Sequence, residues 1–126
     1  MKRISLLALP LLLASCYSYG VALSGGDIDN YGKSYEKVTN KQPATDDDKF
    51  RSGFLMGYIG GVIDATSEVG MYCLPKSISL GAITDLTIKY IKLHPDENDS
   101  IGRDVVISAM QNSFKCSNPP DWMKGK

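Results

Sequence analysis

GFLMGYIGGVID, residues 53–64, decides how this chain is read. Its glycines at 53, 57 and 61 recur every fourth position, with Gly60 beside them. Each interior glycine costs a helix about 1 kcal/mol relative to alanine. Yet Phe50, Phe54, Tyr58 and Val62 recur at helical spacing through the same stretch, and Leu55, Ile59, Ile63 and Ala65 widen the stripe. Thr45 can cap the start, and Asp46, Asp47 and Asp48 suit the positive end of the helix dipole. The pattern predicts a helix over about 46–68. On it Gly53, Gly57 and Gly61 form a smooth groove, with Ala65 extending it. Such grooves let helices approach closely in membranes, but Asp48, Lys49, Arg51 and Asp64 argue against a membrane span. The expectation is that another helix of the same domain packs into the groove. A seam between two copies of the chain is the alternative.

Two more helices follow. Pro75 interrupts the chain after Cys73, and Ser77 or Ser79 can cap a helix carrying Leu80, Ile83, Leu86, Thr87, Tyr90 and Ile91 on one side. His94-Pro95 stops it, because the residue before a proline is pushed out of helical geometry. The next helix runs from about Ser100 to Phe114, with Asn98, Asp99 and Ser100 as candidate caps and Ile101, Val105, Val106, Ala109, Met110 and Phe114 inside. The tail SNPPDWMKGK ends the domain with two prolines. No strand pattern competes. The fold class expected is all-α, a small bundle of three to five helices spanning residues 45–126.

Residues 1–15 read as a signal peptide: Lys2 and Arg3, an apolar run from Ile4 to Leu13, then small residues. The run is short of the about 20 residues a membrane span needs. Leu13-Ala14-Ser15-Cys16 resembles the lipobox of bacterial lipoproteins, in which the cysteine thiol takes a diacylglyceryl group and the chain is cut before it. Cys16 is therefore the candidate lipidation site and membrane anchor. An ordinary cleaved signal ending near Cys16 is the alternative. Losing residues 1–15 removes two of the 14 basic residues and none of the 14 acidic ones, a net charge of −2. Residues 16–44, rich in Ser, Gly, Asn, Asp and Tyr, read as a tether or loosely ordered arm, with Tyr31, Tyr35 and Val38 able to form one short helical stripe.

A helical domain this small usually needs a staple. With Cys16 at the signal end, Cys73 and Cys116 remain, one after the first helix and one after the third. A Cys73–Cys116 disulfide suits an extracytoplasmic domain and closes a loop of about 40 residues, worth about 4 kcal/mol on the chain-entropy account.

The composition excludes much. The formal charge is zero, and no basic stripe points to nucleic acid. Cys73, His94 and Cys116 lack zinc-ligand spacing, so no metal is expected. The glycines lie within a helix rather than between a strand and a helix, so no phosphate loop forms and no cofactor is expected. A Cys-His catalytic pair would need a free thiol beside His94, whereas paired extracytoplasmic cysteines usually form a bridge. The chain is read as a non-enzyme.

The order GYIGGVIDA, then CLP, then KYIKLHPD, then VVISAMQNSFKC resembles the Rap/Tai family of periplasmic immunity proteins against type VI secretion amidase effectors. The likeness rests on Gly57, Tyr58, Ile59, Gly61, Val62, Asp64, Cys73, Leu74, Pro75, Tyr90, His94, Pro95, Ala109, Phe114 and Cys116, and spans about residues 50–116. It implies an all-helical fold, the Cys73–Cys116 bridge and a homodimer. It also implies a cognate partner, a peptidoglycan amidase whose Cys-His active-site cleft the protein occupies, keeping murein peptides out. A periplasmic lipoprotein serving as a chaperone, envelope factor or phage exclusion protein is the alternative. Two stretches are candidate partner-binding surfaces: the acidic loop HPDENDS with Asp96, Glu97 and Asp99, and MYCLPK with Tyr72 and Leu74 as apolar anchors.

Overall fold

A computed structural model describes residues 22–118 and Asp121. The signal peptide, Cys16 and most of the tail lie outside the described residues. Four α-helices form the fold: α1 (Gly25–Thr39), α2 (Asp46–Thr66), α3 (Leu80–Leu93) and α4 (Gly102–Ser113). Single 3-10 turns follow α2 at Ser67–Val69 and α3 at Pro95–Glu97. Among the described residues there is no strand, only an isolated antiparallel bridge between Ser24 and Ile101.

The local signals explain the boundaries. Thr45 caps α2 in a full capping box: its hydroxyl accepts from the Asp48 amide, and the Asp48 carboxylate accepts from the Thr45 amide. Such a cap is worth about 1 kcal/mol. After the 3-10 turn, Gly70 takes a φ of 77°, a left-handed conformation that favours glycine and turns the chain toward Cys73. Ser79 caps α3, which ends at Leu93 with the proline two residues on. The expected side-chain caps of α4 are not used. Ile101 is its N-cap, and the Gly102 amide donates to the Leu23 carbonyl from the far end of the sequence.

The core is built from Ile28 of α1, Leu55, Ile59 and Ile63 of α2, Ile83, Ile88 and Ile91 of α3, and Val105, Val106, Ala109 and Met110 of α4. Two threonines of α3, Thr84 and Thr87, are fully buried among them. Each satisfies its hydroxyl on the carbonyl four residues back, at 2.9 Å. Cys73 and Cys116 are bonded, with Cα atoms 5.0 Å apart and a sequence separation of 43. The Cys73 amide also donates to the Phe114 carbonyl at 2.9 Å, so the α2–α3 connection and the end of α4 are joined twice.

Two expectations are corrected. The arm read over residues 16–44 holds a helix in its described part: α1 buries Ile28 and Tyr35 in the common core. It opens with a capping box between Ser24 and Asp27. It is also locked to α2 by a buried carboxylate. Asp48 accepts from the Ser34 hydroxyl at 2.8 Å and from the Lys37 ammonium at 3.2 Å. The Ser34 hydroxyl first, then the Thr45 amide and Lys37, hold the Asp48 carboxyl well below the usual carboxylate range.

The glycine groove is the second correction. Among the described residues no neighbour packs against Gly53, Gly57 or Gly61: a Cβ added at any of them would meet nothing within 4 Å. The buried stripe of α2 is Leu55, Ile59 and Ile63. It has the same four-residue spacing, displaced by two residues, which is about 200° around a helix of 3.6 residues per turn. The glycines therefore face solvent. Only Gly60 meets another helix, against the Leu80 side chain.

Candidate partner-binding surface

The outer face of α2 holds an apolar surface that the fold leaves open. Phe50 is 67% exposed and Phe54 40%. Their rings stack with centroids 6.0 Å apart, and Phe54 meets the edge of Tyr31 from α1, also at 6.0 Å. The Arg51 guanidinium lies 5.4 Å from the Tyr31 ring centre, a cation–π distance, and pairs with Asp47 at 2.7 Å. Next to these rings the backbone of α2 is bare at Gly53, Gly57 and Gly61. The strip runs into an open groove of about 380 Å³ floored by Gly57, Gly61 and Ala65 and walled by Tyr58 and Arg103. Burial pushes the Tyr58 hydroxyl up from its usual range. The arrangement has no nucleophile or general base at its centre. It combines aromatic rings at one end, a floor without side chains and arginines at the margins, a make-up common at protein contacts.

The acidic loop is tied to the start of α1 by backbone hydrogen bonds. The Gly25 amide donates to the Ser100 carbonyl at 2.9 Å and the Gly26 amide to that of Asn98 at 2.8 Å. The approach is close enough that a Cβ at Gly25 would sit 2.2 Å from the Glu97 carbonyl oxygen. Asp96 and Asp99 are exposed on this frame. Glu97 is not free with them: it is half-buried and accepts from the Tyr90 hydroxyl at 2.6 Å. Burial, then this carboxylate, raise the Tyr90 hydroxyl pKa. The Tyr90 ring stacks on His94 at 4.1 Å, and His94 Nδ1 donates to the Tyr90 carbonyl at 2.8 Å. His94 therefore serves the end of α3, and the sulfurs of Cys73 and Cys116 are spent on each other.

The second candidate stretch is corrected. Tyr72 is 2% exposed and belongs to the core, its hydroxyl 2.5 Å from Thr66 Oγ1. Leu74 is half-buried against the same core. Sequence reasoning places the exposed aromatic anchor at Tyr72 and reads Phe50 and Phe54 as part of one apolar helical stripe with Leu55 and Ile59, without separating the exposed side from the buried one. The signal that could move them is that α2 is apolar on both sides, and a helix in a four-helix bundle is covered on one.

A family model described as Rap1a immunity proteins matches residues 12–116. The match takes in most of the chain, and the chain belongs to that family. No curated protein and no solved structure matches. Immunity proteins act by binding a cognate effector, so the exposed surfaces of α2 and of the acidic loop are the places to look for that contact.

Proposed function

We propose that this immunity protein protects the cell envelope by binding a peptidoglycan amidase effector in the periplasm, held at the membrane by a lipid on Cys16. It acts by occupancy and not by catalysis: covering the effector's cleft keeps murein peptides out. The observation that carries the reading, beside the family match, is the open face of α2. Two phenylalanines stand in water beside a glycine-floored groove, and aromatic anchors of this kind dominate binding energy at interfaces. A second reading assigns the effector contact to the loop bearing Asp96 and Asp99, and leaves the α2 face as the seam of a homodimer. What favours it is the frame of backbone hydrogen bonds under that loop.

One experiment separates the two. Wild type, a Phe50→Ser/Phe54→Ser variant and an Asp96→Asn/Asp99→Asn variant are titrated against the cognate amidase, with light scattering on each. The first reading expects at least a tenfold loss of affinity from the phenylalanine pair and only a slower, salt-dependent association from the acid pair. A wild-type dimer that the phenylalanine pair dissolves, with effector affinity retained, would give the α2 face to self-association. A wild type that neither binds an amidase nor protects cells exposed to one in the periplasm removes the amidase reading altogether.

A further inference from the structure

The disulfide stands next to the side chain that ties the α2–α3 connection back onto α2. Among the described residues, one backbone hydrogen bond joins residues 71–78 to another part of the bundle, from the Cys73 amide to the Phe114 carbonyl. The Cys73–Cys116 bridge lies beside it, with the Cys116 sulfur 3.8 Å from the Gly70 carbonyl oxygen. Cys73 itself is exposed. Its neighbour Tyr72 turns inward, and among the described residues it is the one buried core side chain that this connection supplies.

A relay of hydroxyls runs from Tyr72 to the groove on the outer face of α2. Thr66 Oγ1 donates to the Val62 carbonyl at 2.7 Å. That uses its single proton, so the Tyr72 hydroxyl, 2.5 Å away, is the donor between the two. Val62 and Thr66 both line the groove that Gly57 and Gly61 floor. The last turn of α2 thus has two supports: its own helical bonds, and a side chain positioned by the residue bonded to Cys116.

We propose that the bridge is a redox control on this groove. It rests on the reading of the α2 face as the effector contact. Oxidised, the bridge keeps the Tyr72 hydroxyl on Thr66 and the far end of the groove formed. A dithiol reverses this: one thiolate attacks a sulfur of the bridge, the other cysteine leaves as thiolate, and the second thiol of the reductant displaces the first cysteine. The reductant ends as a disulfide, and its two protons end on Cys73 and Cys116. The connection then hangs on one backbone bond and Tyr72, and the last turn of α2 frays as a local unit. The four-helix core draws on the connection only through Tyr72 and stays formed.

The test is amide hydrogen exchange on the full chain, oxidised, under excess dithiothreitol, and as an oxidised Tyr72→Phe variant. Reduction should speed exchange over residues 63–69 by about tenfold or more, while residues 83–91 and 105–110 change by less than about threefold. Tyr72→Phe, with the bridge intact, should speed residues 63–66 by about threefold. A bridge that stays closed in the folded protein, read by thiol alkylation, overturns the control. So does unchanged exchange at 63–66 after reduction. An equal rise in every helix makes the bridge a global staple and overturns it too, and an unaffected Tyr72→Phe variant removes the relay on which it depends. Titration of the oxidised and reduced forms against the cognate amidase completes the test, with about a tenfold loss of affinity expected on reduction. An oxidised protein that binds no amidase strikes the reading of the face, whereas equal binding by both forms strikes the redox control alone.

Discussion

The glycines of α1 and those of α2 do opposite jobs. Gly25 and Gly32 are places where other elements press in: a Cβ at Gly25 would strike the Glu97 carbonyl oxygen at 2.2 Å, and one at Gly32 would lie 3.0 Å from Ile88. Gly53, Gly57 and Gly61 have open space around them. The first set makes close packing available inside the fold. The second weakens a helix locally and returns nothing to the bundle. The stripe costs about 1 kcal/mol per glycine without a contact among the described residues, and the proposed function takes its use to be contact with a partner.

The contrast is easiest to break at Gly25. Alanine there collides with backbone, which cannot turn aside as a side chain can, and the loss should be about 3 kcal/mol, at the upper end for overpacking. Urea unfolding measures it, and an unchanged midpoint would mean that the joint between α1 and the acidic loop is looser than described. Gly57→Ala should go the other way, stabilising the isolated protein by up to about 1 kcal/mol from helix propensity. A loss at Gly57 would show that something covers the face in solution. Gly32→Ala sharpens the comparison. The Ile88 side chain must give by a few tenths of an ångström, the helix gains propensity, and the net loss should be below about 1 kcal/mol. Its midpoint should fall between those of the other two.

The smallest effect concerns the seam that joins the two helices. Asp48 is ionised in the fold under conditions where the unfolded chain would protonate it. Its contribution is complete above about pH 4, the ordinary carboxylate value, and is lost as the pH falls toward its folded value. Asp27 shares the direction, through the Ser24 amide and then its hydroxyl. Stability should therefore drop on acidification from about pH 5 to about pH 2.5, and Asp48→Asn should flatten that drop without abolishing it. An equal drop in the variant would place the titrating group elsewhere.

How much of the molecule is legible in its sequence depends on how local each signal is. The start of α2 is readable because a capping box spans four residues and Thr45 to Asp48 contains it. The same device opens α1, in the stretch SGGD, but the helix behind it is poor in large apolar residues. Gly25, Gly32 and Ser34 are buried there with only Ile28 and Tyr35 as sizeable partners. A helix that buries small residues looks like a linker in sequence, because close approach leaves no hydrophobic mark. The bridge is readable from cysteine count and position. The inward side of α2 is not. Both its stripes are apolar with the same spacing, and periodicity cannot say which of two such stripes a bundle will cover. The acidic loop stands out by its charge, but the loss of Glu97 to Tyr90 depends on a neighbour seven residues back. The Gly25 contacts beneath it cross most of the chain.

The bond from the Gly102 amide to the Leu23 carbonyl has a consequence in time. Any chain is delivered N-terminus first, from a ribosome or through a pore. The α1–α2 hairpin is local and can form early, since contacts between near neighbours in sequence form fastest. The Gly25 and Gly26 amides meet their carbonyl partners only once residues 98–100 have arrived, and the sulfur of Cys73 waits for residue 116. These long-range contacts therefore close after the local hairpin, when nearly all of the domain is present.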